Sequence, residues 1–292
     1  MPISDQLIER FHQTPVSSFM NRTPVVNAVA RKWWIREQTR HFHAALSTLQ
    51  GPVVPATPEC PAGLAKVPTE DDAQCKLPDY VAAGEAFSDA MGAWCSTSKF
   101  QSVTQSGDSH GYQDIYAPTL AHLVNVEARV LEIGIGVNDP GARSGMGRNH
   151  QPGASLRGWS HYLQGSEVHG ADVDRRVLVD AEEYTTHFVD QRDLGSLHAL
   201  AQRVGAPLDL IVDDGLHTPE ANGNVISALL PLLSPSGVMV IEDIPPEFDA
   251  LWGSVGSLIP SQYQARYFPS TLLRQFRGVG AMAGIAVITR LK

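Results

Sequence analysis

The chain is poor in cysteine, in long apolar runs and in positive charge. Its 292 residues include only three cysteines, Cys60, Cys75 and Cys95, and no Cys-x-x-Cys pair. An odd, scattered set argues against a disulfide framework and against a structural zinc site. Cys60 and Cys75 share a proline-rich stretch and are the one pair that could bridge, but free thiols are the expectation. No apolar run approaches the ~20 residues that span a bilayer. The opening MPISDQLIERFHQ lacks a basic-then-apolar leader pattern, so a cytoplasmic protein is expected. Lysine and arginine number 22 against 31 acidic residues, a net charge of -9. That balance lacks the basic face of a nucleic-acid binder and disfavours an anionic membrane. A small-molecule partner remains. Internal repeats are also missing.

What is present divides the chain in two. Residues 1–105 read as a helical extension. Ser4-Asp5 caps a first short helix, and a longer one runs from Val25 to Leu49 on the spacing of Val26, Val29, Ala30, Trp33 and Trp34. Residues 51–80, with six prolines, read as an irregular connector, and a further helix covers about 80–95. This extension is expected to act as a substrate lid or an oligomer interface. Residues 106–292 carry the second unit. From about 127 onward strands and helices alternate: ARVLEIGIG, SLRGWSHYL, SEVHGADVD, HFVDQRD, LHALAQRV, LDLIVDDG, NVISALLPLLS and GVMVIEDI. Such alternation predicts an α/β Rossmann-like fold, a mostly parallel sheet with helices on both faces. QYQARYFP and GIAVITRLK predict a terminal antiparallel hairpin.

In such sheets a ligand sits beyond the carboxyl ends of the strands. All five predicted parallel strands end in acids. The first runs Glu132-Ile133-Gly134-Ile135-Gly136. Glycines there let a ligand approach the backbone. A dinucleotide site wants a third glycine leading straight into a helix. Here Val137-Asn138-Asp139 follow instead, and Glu132 would face a pyrophosphate badly. S-adenosylmethionine (SAM), which has no phosphate, suits the pattern better than NAD. A glycine turn without a ligand is the bland alternative. Asp172 ends the second strand and can accept both ribose hydroxyls. Asp174 is its rival, although a helix cap explains that residue equally. Asp190-Gln191 would meet adenine, or serve only as turn chemistry. Asp213-Asp214-Gly215-Leu216-His217 and Glu242-Asp243 end neighbouring strands. Asp214, Glu242 and Asp243 could therefore converge as hard oxygen ligands for Mg²⁺. His217 is close enough to take a proton from a hydroxyl held there. Helix capping by the acids and a surface histidine form the competing account.

Together LEIGIG, GASLRGW, GADVD, VDQRD, DLIVDDGLH and SGVMVIEDI resemble the metal-dependent sugar O-methyltransferases of macrolide biosynthesis, the mycinamicin and tylosin type, and their cephalosporin-hydroxylase-like relatives. Ser109-His110-Gly111-Tyr112, with Tyr116, is similar to the stretch before the core of those enzymes. The likeness covers about residues 95–245. It implies a class I methyltransferase that uses SAM and Mg²⁺ to methylate a hydroxyl of a small natural product. It implies SAM contacts at Glu132, Gly134, Gly136 and Asp172, with Ser155 matching the family's serine; Asp190, Gln191, Asp213 and Tyr112 are expected to complete the cofactor site. It further implies Mg²⁺ on Asp214, Glu242 and Asp243, His217 as general base, and a homo-oligomer. Two segments depart from the family. Residues 137–152, with Arg143, Arg148 and His150, lengthen a usually compact turn, and Ile244-Pro245-Pro246 replaces a His-containing continuation. The rivals are a metal-independent N- or C-methyltransferase, a dehydrogenase or hydroxylase relative, and a non-catalytic SAM-binding protein.

Overall fold

The computed structural model describes residues 24–49, 78–92, 110–138, 151–277 and 283–291. The Ser4-Asp5 cap, the connector through residue 77, all three cysteines, Ser109, Arg143, Arg148 and His150 lie outside the described residues. The elements in chain order begin with α1 (Pro24–Leu46), α2 (Pro78–Gly92), α3 (Gln113–Leu120), β1 (Arg129–Ile133) and α4 (Ala154–Tyr162). Then come β2 (Glu167–Asp172), β3 (Thr185–Phe188), α5 (Leu194–Val204), β4 (Leu208–Asp213) and α6 (Pro219–Leu229). The last are β5 (Leu233–Ile244), the single turn α7 (Asp249–Trp252), β6 (Tyr263–Phe268), α8 (Ser270–Arg277) and β7 (Gly284–Arg290). Among the described residues no helix is long and apolar enough to cross a membrane.

Seven strands form one sheet in the order β3-β2-β1-β4-β5-β7-β6. β1 to β5 pair in parallel, and β7 runs antiparallel to both β5 and β6. The expected fold class is borne out, including the antiparallel end. One detail differs. β6 and β7 are joined not by a tight turn but through α8, whose apolar residues Leu272 and Leu273 are buried. α3 was also not expected, because its eight residues include Pro118 and offer little periodicity.

The side-chain pleat sorts each strand's residues onto two faces. Val130, Leu210, Val212, Val238, Val240 and Val287 pack on one face with Phe87, Tyr116 and Trp159. Leu131, Ile133, Ile211, Met239 and Ile241 pack on the other with Phe42, Leu229 and Trp252. Burial on both faces explains why the central strands read as near-continuous apolar runs. Two of the helices start at a side-chain cap. Asp193 accepts from the Gly195 N–H before α5, and Thr218 accepts from the Ala221 N–H before α6.

The N-terminal helices are part of these layers. α1 lies on α6, with Phe42 fully buried against Trp252, their ring centroids 5.1 Å apart. A side chain at Gly223 of α6 would come within 3.2 Å of Phe42 and Ala45, so a glycine allows this close crossing. α2 packs against α3 and α4 on the opposite face, through Phe87 and Met91.

Candidate active site

The order of the sheet reverses between β1 and β4, the position at which open α/β sheets bind ligands. Gly134 and Gly136, just beyond β1, have φ of 97° and 83°. At Gly134 the reason is physical. A β-carbon there would lie 2.1 Å from the backbone oxygen of Asp214, so only glycine lets the two strand ends touch. The Asp214 N–H in turn donates to the carbonyl of Ile133, 2.9 Å away. The glycine turn and the acidic turn after β4 are thus one continuous surface.

Asp172 faces that turn. Its Oδ2 accepts from the Ile135 N–H at 2.9 Å and its Oδ1 from the Asp174 N–H at 2.8 Å. A carboxylate has about four acceptor positions, so both oxygens keep capacity for a diol. Asp174 is committed elsewhere, to the backbone and guanidinium of Arg176, and these hold its carboxyl down at about 2. Ser155 is buried in the first turn of α4, after Gly153 in the left-handed region. Helix N-termini of this kind favour a carboxylate ligand. These residues fit a cofactor with a ribose and an amino-acid carboxylate, as SAM has.

The pleat separates the acids. Glu132 lies on the face of Val130 and is fully buried, accepting from the Trp159 indole N–H at 2.8 Å. Asp213 lies on the opposite face. Its oxygens accept from Gln191 at 2.6 Å and Asn222 at 2.9 Å, and Gln191 Oε1 accepts from the Leu216 N–H at 2.7 Å. Burial pushes the Asp213 carboxyl up, only partly offset by Asn222, the charge of His217 and Gln191. Asp213 and Gln191, expected as cofactor contacts, therefore brace the turn that carries His217. Asp190 pairs with Arg192 at 3.0 Å.

At the ends of β4 and β5, Asp214, His217 and Asp243 each offer one ligand atom, all within 4.8 Å of one another. His217 Nε2 is 3.8 Å from Asp243 Oδ2. Glu242, expected as the third metal ligand, is outside this group. It continues the face of Val240 and accepts from the Tyr116 hydroxyl in the core. Simple alternation would send Asp243 to the far face. However, the β5–β7 register slips between Ile241 and Ile244, and Asp243 adopts φ 52°. A bulge of this kind re-aims a side chain. Asp243 Oδ1 then meets His110 Nδ1 at 2.9 Å and the Tyr112 hydroxyl at 2.6 Å. Burial opposes ionisation of Asp243. The hydrogen bond and charge of His110, the charge of His217 and the Tyr112 hydroxyl outweigh it and hold the carboxyl well below the usual range. Burial and the neighbouring carboxylates raise both tyrosines, so Tyr112 and Tyr116 stay neutral donors. The oxygen donors of Asp214 and Asp243 fit a hard divalent cation such as Mg²⁺.

His110 and Tyr116 enter the sequence reading only through the family resemblance, with no role assigned to either. Tyr112 and Tyr116 stand four apart at the start of α3, a spacing that aligns both phenols on one face, and His110 leads into it.

Residues 137–244 match the model of a family described as a methyltransferase domain. The demethylmacrocin O-methyltransferase of Streptomyces fradiae is 35% identical over 150 residues, 51% of this chain and 35% of the relative. The mycinamicin VI 2''-O-methyltransferase of Micromonospora griseorubida is 28% identical over 195 residues, 64% of this chain and 46% of the relative. This chain therefore spans between about a third and a half of those relatives. A solved structure of the methyltransferase MycE from the mycinamycin pathway, in complex with Mg, SAH and mycinamycin VI, is 26% identical. It covers 64% of this chain and 52% of its own, with a TM-score of 0.44. The likeness to O-methyltransferases read from the motifs is borne out over this central region.

Proposed function

We propose that a chain whose residues 137–244 match a methyltransferase-domain family transfers a methyl group from SAM to a hydroxyl oxygen of a small natural product. One observation carries this reading. The glycine turn at Gly134 and the Asp214–His217–Asp243 cluster are in backbone contact, so a cofactor on the one delivers its methyl group beside the other. The curated relatives named above, both O-methyltransferases, support oxygen as the acceptor.

Asp172 holds the ribose hydroxyls, and the N-terminal turn of α4 with Ser155 receives the methionine carboxylate. Asp214 and Asp243 hold Mg²⁺, which when bound lowers the pKa of a nearby acceptor hydroxyl and orients it. His217 Nε2 takes the hydroxyl proton as the oxygen–methyl bond forms. The methyl–sulfur bond breaks in the same step, its electron pair stays on sulfur, and neutral S-adenosylhomocysteine leaves. Because the sulfonium is already activated, the residues contribute mainly position.

The test is methyl transfer from isotopically labelled SAM to a panel of hydroxylated macrolide, aromatic and sugar acceptors, with and without prior chelation. Transfer that chelation abolishes and Mg²⁺ restores is expected. Full transfer after metal stripping removes the Mg²⁺ assignment. Binding of SAM without transfer to any acceptor leaves a SAM-binding protein instead.

A further inference from the structure

The carboxylate of Asp243 is asymmetrically engaged, and its surroundings say which oxygen is left for a ligand. Oδ1 accepts from two donors, His110 Nδ1–H at 2.9 Å and the Tyr112 hydroxyl at 2.6 Å. The same hydroxyl accepts from the Asp243 N–H at 3.2 Å, so Tyr112 grips both the side chain and the backbone of one residue. Tyr112 is fully buried, and its ring meets that of His110 edge-on with centroids 5.3 Å apart. Neither donor comes from the sheet. Both belong to the segment leading into α3, more than 130 positions earlier in sequence. Asp243 itself holds a left-handed φ, a strained conformation for a non-glycine residue. Such a conformation persists where surrounding contacts over-determine it, and here the contacts are these two donors. Oδ2 is the oxygen on the side of His217.

We propose that His110 and Tyr112 are positioning residues that clamp Oδ1 of Asp243, so that Asp243 presents Oδ2 as a single-oxygen ligand to a divalent cation shared with Asp214. This rests on the metal assignment made above. It gives Tyr112 a role in orienting a ligand rather than touching the cofactor. Partners that orient a ligating side chain are commonly worth 10–100-fold in metal affinity.

Mn²⁺, whose binding is read directly by electron paramagnetic resonance, is the probe, with SAM affinity from calorimetry measured on the same samples. Tyr112→Phe and His110→Ala, each in the full chain, are expected to weaken Mn²⁺ binding about 10–100-fold while SAM affinity stays within about twofold. His110→Asn, whose amide can replace the Nδ1–H, is expected to restore most of the loss. A general packing defect would lower SAM affinity as well and would not be rescued by Asn. Mn²⁺ affinity unchanged in the Tyr112→Phe, His110→Ala double variant, while Asp243→Asn abolishes binding, overturns the clamp. Mn²⁺ affinity unchanged in Asp243→Asn overturns the metal assignment itself.

Discussion

His217 and Asp243 share a feature uncommon outside glycine, a φ of 52°. Bulky side chains in that region store strain of about 1–3 kcal/mol, and such residues cluster where geometry serves chemistry. Nδ1 of His217 is buried and finds no hydrogen-bond partner among the described residues, so Nε2 is the nitrogen that faces Asp243. If His217 is the general base, His217→Ala lowers turnover by ~10²–10⁴ and leaves SAM affinity nearly intact. Single-turnover kinetics with calorimetry checks this, and unchanged turnover rejects the assignment. Gly134 makes the opposite case, a residue defined by what it lacks. Gly134→Ala sets a methyl group 2.1 Å from the Asp214 carbonyl oxygen and demands a left-handed alanine. A loss of more than about 2 kcal/mol of stability, together with weakened SAM binding, is expected from denaturant titration and calorimetry. An alanine variant with wild-type values for both would show that the contact is not needed.

Elements explain which acids meet. The sequence shows that strands end in Glu132, Asp172, Asp213-Asp214 and Glu242-Asp243, but not which way each carboxylate points. The pleat decides that for Glu132, Asp213 and Glu242, all of which turn into the interior. The bulge in β5 decides it for Asp243. A second element-level consequence lies at the other end of the sheet. His169 of β2 and His187 of β3 are 3.0 Å apart, and His169 Nε2 is 3.0 Å from Glu167. Burial lowers both histidines below the ordinary value of about 6.5, against the raising pull of Glu167 on His169. Below that value the unfolded chain takes up protons that the folded chain resists. Stability is therefore fully present above about pH 6.5 and falls as the solution is acidified below it. Melting temperature followed across pH 7 to 5 should show the decline, and a His169→Gln, His187→Gln variant should flatten it. An equal slope in that variant would place the pH dependence elsewhere.

At the scale of the whole molecule, the two described N-terminal helices, α1 and α2, pack into the core. Phe42 and Leu46 of α1 cover one face of the sheet, and Phe87 and Met91 of α2 cover the other, all nearly or fully buried. Each such side chain contributes about 1.5–3 kcal/mol on burial. Four together approach the whole stability of an ordinary domain, about 5–15 kcal/mol. A chain cut to residues 106–292 is therefore expected to melt non-cooperatively and to aggregate, as judged by circular dichroism and gel filtration. A monodisperse fragment with the full chain's melting temperature would show that the central unit is self-sufficient.

The sequence by itself determined the α/β alternation, the parallel core, the antiparallel end and the residue types at the strand ends. These follow from local periodicity and turn chemistry, which a linear pattern records directly. It did not determine that α8 separates β6 from β7, that Tyr112 and His110 reach across to Asp243, or that Glu242 turns inward to Tyr116. Those depend on a one-residue bulge and on contacts between positions more than a hundred apart. Such contacts exist only once the sheet is assembled, because the pleat fixes each carboxylate's face and α3 then supplies its partners.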